Sequence, residues 1–185
     1  NMINQLILIG CSKSKLDHQR PAYCLYTGDL FKKQMQYADD ILQPANQYNS
    51  KVMILSAKHG LLELDKVIKP YDLSLNDFNA FELSQWASKV EQQINDLFID
   101  FKSVVFLAGK KYREPLSSLL LSSFSPFKIL EPLKGMGIGL QKQFILNAIY
   151  EKKELLRDSA KNTILPELNA FEKKWILTYG KGIRI

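Results

Sequence analysis

Two cysteines, two histidines and no apolar run of membrane length are the scarcest features of this 185-residue chain. Two cysteines, Cys11 and Cys24, exclude a disulfide scaffold and suit a reducing cytosol, so a cytoplasmic location is expected. Cys24 lies in an apolar context and is read as core. Two scattered histidines, His18 and His59, give no metal-ligand spacing, so no metal is expected. No stretch approaches the roughly 18 apolar residues of a membrane span, which argues against a membrane partner. A signal peptide is not visible, because the apolar run near the start is short and lacks a charged lead-in. Asn1 before Met2 reads as a scar of tag cleavage. Neither a P-loop nor a dinucleotide fingerprint is present, so no cofactor is implied. Internal repeats and low-complexity tracts are absent as well.

The chain does hold enough apolar residues, 46%, to bury a core, which excludes global disorder. Its net charge is +6, with a pI near 9.2. The basicity sits at the two ends. Residues 1–37 carry five Lys/Arg against two Asp/Glu, and residues 141–185 carry nine against five. Residues 38–140 carry 11 against 12 and are close to neutral. This balance is compatible with a nucleic-acid partner without requiring one.

Four short apolar runs end in turn signals: Gln5–Ile9, Val52–Ser56, Ser103–Ala108 and Phe127–Leu130. Such runs are expected of strands buried on both faces. Between them the period becomes helical. Leu30, Phe31, Met35, Ala38, Ile41 and Leu42 form one stripe, with Thr27 as the expected N-cap and Asp29 in the first turn. Leu83, Trp86, Ala87, Val90, Ile94 and Leu97 form another. Tyr112, Leu116, Leu119 and Leu120 predict a shorter helix, and residues 138–159 a long one. A last helix is expected over Leu165–Leu177, behind a linker at Asp158–Pro166. The alternation predicts an α/β three-layer sandwich: a mainly parallel four-stranded sheet with helices on both faces, over residues 2–158. Residues 159–185 would form a C-terminal helical extension.

In open α/β sheets, ligands bind beyond the carboxyl ends of the strands. The four loops expected there carry Lys13, Lys15, Lys58, Lys110, Lys111, Arg113 and Lys134 against one carboxylate, Glu114. That imbalance favours an anion such as a phosphate, a nucleotide or a nucleic-acid backbone. The alternative is ordinary solvated lysines. Ser12, Ser14, Gly135, Gly137 and Gly139 would add hydroxyl or backbone donors. Cys11 follows the first strand beside cations that would activate a thiol; it could equally be a small residue at a strand end. His59 could serve as a general base or phosphate donor, or be structural. In Pro70-Tyr71-Asp72, Tyr71 could stack on a base and Asp72 could accept a proton, or the segment could be a packed turn. Tyr26 could line the pocket or staple the next helix, and Tyr112 is a second candidate for base contact.

The run Leu55-Ser-Ala-Lys-His-Gly-Leu-Leu62, followed by Ile68-Lys-Pro-Tyr-Asp-Leu73, resembles the signature of the YaaA-like peroxide-stress proteins. A closer resemblance is to a family of short bacterial and phage domains of unknown function. It rests on Cys11-Ser-Lys-Ser-Lys15, Leu25-Tyr-Thr-Gly28, Ser56-Ala-Lys-His-Gly60, Pro70-Tyr-Asp72, Ala108-Gly-Lys-Lys-Tyr-Arg113 and Pro132-Leu-Lys-Gly-Met-Gly-Ile-Gly139. It spans residues 6–145. The first loop is also similar to part of a domain in tRNA base-modifying enzymes. These resemblances imply a role around DNA, in damage protection or modified-base biology.

The expectation is therefore a nucleic-acid- or nucleotide-directed protein, with nucleobase N-glycosidic chemistry or a related transfer as the reaction class if one occurs. Lys13, Lys15, Lys58, Lys110 and Arg113 would hold phosphate, and Asp72, His59 and Cys11 would carry any chemistry. Two alternatives stand beside it. One is a non-catalytic DNA-binding protein, for which Lys152, Lys153, Arg157, Lys173 and Lys174 would matter. The other is an enzyme acting on a phosphorylated metabolite.

Overall fold

The computed structural model describes residues 2–124 and 126–162, with side chains described as far as Asp158. The first apolar run is the central strand β1, Met2–Gly10. It is followed by a short strand β2 (Arg20–Pro21), the single turn α1 (Ala22–Leu25) and helix α2 (Asp29–Tyr37). A widened π-type turn, Ala38–Leu42, and the short α3 (Gln43–Ala45) lead to β3, Ser50–Ser56. Next come β4 (Gly60–Glu63), β5 (Val67–Ile68), helix α4 (Ala80–Asn95) and β6 (Asp100–Phe106). Helix α5 (Lys110–Ser123), β7 (Lys128–Leu130) and the long α6 (Ile138–Asn162) complete the described chain.

The sheet has five strands, not four, in the order β4-β3-β1-β6-β7. β1 pairs in parallel with β3 and β6, and β6 in parallel with β7. The added strand is β4, which folds back antiparallel on β3 with Ser56 opposite Gly60. Residues 57–62, expected as a loop, turn only over Ala57–His59, and the chain pairs again from Gly60. Gly60 makes this possible, because its φ of +72° is a left-handed conformation that side chains rarely adopt. A separate ribbon joins β2 to β5.

Successive strand residues alternate between two cores, as a period of two requires. Ile7, Ile9, Val52, Ile54, Val105 and Leu107 face α1, α2 and α6, meeting Leu25, Phe31, Tyr37 and Ile145. Leu6, Leu8, Met53, Leu55, Val104 and Phe106 face α4 and α5, meeting Trp86, Val90, Ile94, Leu116 and Leu120. The first three helical stripes, those of α2, α4 and α5, are thus buried largely as their periodicity predicts. Two local expectations are corrected. Helix α2 starts from Gly28 with no side-chain cap, so Thr27 is not its N-cap. Cys24 is exposed and not core, because the one-turn helix α1 buries only Ala22 and Leu25.

Helix α6 continues to Asn162, through the residue-158 boundary expected from sequence. The expected helix over Leu165–Leu177, with Lys173 and Lys174, lies outside the described residues. Among the described residues no helix is long and apolar enough to cross a membrane.

Candidate functional site

β1 is the strand from which the chain departs first to one side, to β3, and later to the other, to β6. Such a switch point opens a crevice between the loops that follow the diverging strands. Here those loops begin at Cys11 and Leu107. They are close: a Cβ on Gly10 would lie 3.4 Å from Ala108 Cβ.

The first loop is stitched to the residues before α2. The Ser12 hydroxyl donates to Ser14 O (2.7 Å) and accepts the Gly28 N–H (3.1 Å). Thr27 N–H donates to Ser14 O, and Leu16 N–H to Leu25 O. Gly28 is required by this crossing, since a Cβ there would sit 2.6 Å from Ser12 Cβ. The loop thereby turns Lys15 inward, where its ammonium donates to Lys13 O at 3.1 Å.

Three hydroxyls meet beneath that lysine. Tyr71 Oη lies 2.7 Å from Tyr26 Oη and 2.6 Å from Ser56 Oγ, and Ser56 Oγ also accepts the His59 N–H at 3.1 Å. Trp86 Nε1 donates to the Ser56 carbonyl at 2.9 Å, which fixes the end of β3. A hydrogen bond between two hydroxyls needs only one proton, so neutral phenols satisfy one another. Burial pushes Tyr26 up to about 12, against its hydrogen bonds to Ser56 and Tyr71. Burial drives Tyr71 and Tyr112 above the ordinary tyrosine value too, and negative charge on Cys11 would push them further.

The Tyr71 ring is surrounded by cations and rings. Lys15 Nζ stands 4.3 Å from its centroid and Lys58 Nζ 5.7 Å. His59 and Tyr26 approach edge-on, at 5.4 and 6.4 Å between centroids. Cation–ring contacts of this kind contribute about 0.5–2 kcal/mol each, more as water is excluded. Tyr112 is held similarly by its own chain: its hydroxyl is 3.1 Å from Cys11 Sγ and its ring 5.8 Å from Trp86. Both rings expected to contact a base are therefore already engaged within the fold.

The rim cations divide into two sets. Arg113 pairs with Glu131 at 2.8 Å, Lys134 with the same carboxylate at 3.1 Å, and Lys110 with Glu114 at 3.5 Å. Lys13, Lys58 and Lys111 are exposed, and no ion pair joins them or Lys15 to a carboxylate among the described residues. Burial holds Lys15 below the ordinary lysine value, although Cys11 and the exposed Asp72 act in the opposite direction. His59 is held below its usual value by burial and then by Lys58, Lys89 and Lys66, so it is a neutral imidazole near pH 7. Its Nε2 is buried and has no hydrogen-bond partner among the described residues.

The structure thus gathers Cys11, Lys15, Lys58, His59, Tyr71 and Tyr112, with Asp72 near enough to act on Lys15 electrostatically. Gly135, Gly137 and Gly139 stand at the start of α6 in open surroundings, with Gly135 at φ +79°. Ser14 contributes its carbonyl, and Ser12 acts within the loop. Sequence reasoning missed Ser56, which looks like the last residue of an apolar run, and Trp86, which looks like core alone. Among the described residues no group of three or more His, Cys, Asp or Glu could hold a metal ion.

Comparison with known proteins fits this picture of a compact family without an assigned role. The chain is 29% identical over 156 residues to the uncharacterized protein YfjM of Bacillus subtilis (strain 168), covering 83% of this chain and all of that one. A solved structure, that of AF0587, a protein of unknown function, is similar at a TM-score of 0.43 and 15% identity. That similarity covers 77% of this chain but only 42% of the solved one. The model of a family of unknown function, DUF6884, matches residues 6–147, which include the sheet from Leu6 of β1 onward and the whole cluster around Tyr71. The chain belongs to the DUF6884 family.

Proposed function

We propose that the protein is nucleic-acid- or nucleotide-directed and holds phosphate over the carboxyl ends of β1 and β3. One observation carries this reading: Lys15 and Lys58 both lie against the Tyr71 ring, with the charge of Lys13 acting on Lys15, and among the described residues none of the three is paired with a carboxylate, whereas Lys110, Arg113 and Lys134 are ion-paired with Glu114 and Glu131. Unpaired ammonium groups beside a desolvated floor are an anion site in waiting. The resemblance to YaaA-like proteins points toward DNA. Should chemistry follow binding, His59 is a neutral base within the cluster, and Asp72 and Cys11, both of which act on Lys15, are the other candidate groups. Nucleobase N-glycosidic transfer is the reaction class these groups would serve.

A second reading, an enzyme for a phosphorylated small molecule, is favoured by the way the free cations crowd one point instead of tracking along a surface. A titration of fluorescent single- and double-stranded DNA at two salt concentrations, with nucleotides as competitors, separates the two. The leading reading expects binding that weakens with salt and is lost in Lys13→Ala/Lys15→Ala/Lys58→Ala. No binding of DNA or nucleotide at low salt would refute it.

A further inference from the structure

Tyr71 contributes its ring and its hydroxyl to opposite tasks. The hydroxyl is fixed from below by Tyr26 and Ser56. The ring carries Lys15, delivered by the β1 loop, and Lys58, delivered by the β3–β4 turn. These lysines come from separate loops: the Lys15 ammonium donates to Lys13 O at 3.1 Å, and the Lys58 carbonyl accepts from Lys89 of α4 at 3.1 Å. Since both ammonium nitrogens lie within 6 Å of one ring centroid, they are at most about 10 Å apart. An unfilled pair of like charges at that range repels. The ring quadrupole offsets part of the repulsion, and an anion between them would remove it.

We infer that Tyr71 is a positioning residue that gathers Lys15 and Lys58 into one seat for a phosphate monoester dianion, either a mononucleotide or the phosphorylated end of a strand. The inference rests on the phosphate-binding reading above and narrows it. Two lysines against one ring match the two charges of a terminal phosphate. An internal phosphodiester carries one charge per group, and a strand lying across the rim would meet Lys110, Arg113 and Lys134 already paired with Glu114 and Glu131. Lysine is suited to this seat, because ammonium groups act as point charges on phosphate and need no fixed fork. His59 stands edge-on to the ring as a neutral imidazole, so it adds no third positive charge beside the seat.

The test uses the full chain and one labelled single strand made with and without a terminal phosphate, with a nucleoside monophosphate and its nucleoside as competitors. The phosphorylated strand should bind at least about tenfold more tightly, the scale of one added charge-assisted contact. The monophosphate should compete where the nucleoside does not. If the strand shows the preference, strand ends are the source; if only the free monophosphate competes and the strand shows none, mononucleotides are. Both results support the seat. Tyr71→Phe, which keeps the ring, should retain the preference; Tyr71→Leu should lose it, although both remove the hydroxyl. If Tyr71→Leu does not fold, Lys15→Met and Lys58→Met replace it, each expected to abolish the preference. Equal binding with and without phosphate, in strand and mononucleotide alike, overturns the inference while leaving the broader reading intact. Retention of the preference in folded Tyr71→Leu overturns the role of Tyr71. Absence of any binding overturns both.

Discussion

Ser56 is fully buried at the end of β3, where its hydroxyl accepts the His59 N–H and shares a proton with Tyr71. Ser56→Ala leaves a buried phenol and a backbone N–H short of a partner, so it should cost about 1–3 kcal/mol in urea unfolding. His59 makes a pH-dependent contribution of defined sign. Its folded pKa lies below the ordinary histidine value of 6.5, so the unfolded chain takes up the proton first. Stability from this group is present above pH 6.5, begins to fall below it and is lost as pH drops through the lower folded pKa. Between pH 7.5 and pH 5.5, about one unit either side, the urea midpoint of wild type should drop, and His59→Gln should flatten the drop. The tyrosines act at the other end. Tyr26 is raised to about 12 from 10.0, so its contribution persists up to pH 10 and is lost above it. At this scale the sequence exposes the charged and aromatic members of the cluster, because Lys58, His59 and Tyr71 stand out after an apolar run. It hides Ser56 and the reason for Gly28, since neither the hydroxyl triad nor the Ser12 crossing exists until distant segments meet.

The turn from β3 to β4 delivers two site residues, Lys58 and His59, and is clasped from outside by α4. Gln93 Oε1 accepts the Leu61 N–H at 2.8 Å, and its Nε2 donates to His59 O at 3.0 Å. A Cβ on Gly60 would lie 2.3 Å from that Oε1, in a residue already at φ +72°. Gly60→Ala should therefore destabilise by at least about 2 kcal/mol, combining left-handed strain with displacement of the clasp. Because the turn would shift, anion affinity should fall in the same variant, read by competition binding on the folded fraction. Helix α4 starts with a capping box: Asn79 Oδ1 accepts the Glu82 N–H at 2.9 Å and Glu82 Oε2 accepts the Asn79 N–H at 2.8 Å. Asn79→Ala should lower stability by about 1 kcal/mol, with little effect on binding, since the cap lies away from the cluster. Periodicity made the parallel strands and the stripes of α2, α4 and α5 readable. It could not reveal β4, whose four residues merge with the preceding run and whose reversal depends on one glycine's φ.

Across the whole molecule, net charge is a poor guide to where an anion binds. The sequence shows seven cations and one carboxylate in the loops it assigns to the rim. Folding brings in Glu131, which lies just outside one of those loops, and it takes up both Arg113 and Lys134. Apart from the exposed Lys111, the rim cations that remain outside an ion pair lie in the loops after β1 and β3. The parallel order of the central strands makes this legible in outline, because it sends the loops to one end. Which lysines stay free depends on pairing between loops, which no spacing rule reports. The most direct measurement compares affinity for a nucleoside monophosphate across salt concentration in wild type, Lys15→Ala/Lys58→Ala and Lys110→Ala/Lys134→Ala. The account predicts that the first pair of substitutions weakens binding at least about tenfold and flattens its salt dependence, while the second leaves both nearly unchanged. Equal losses in the two variants, or a larger loss in the second, would contradict it.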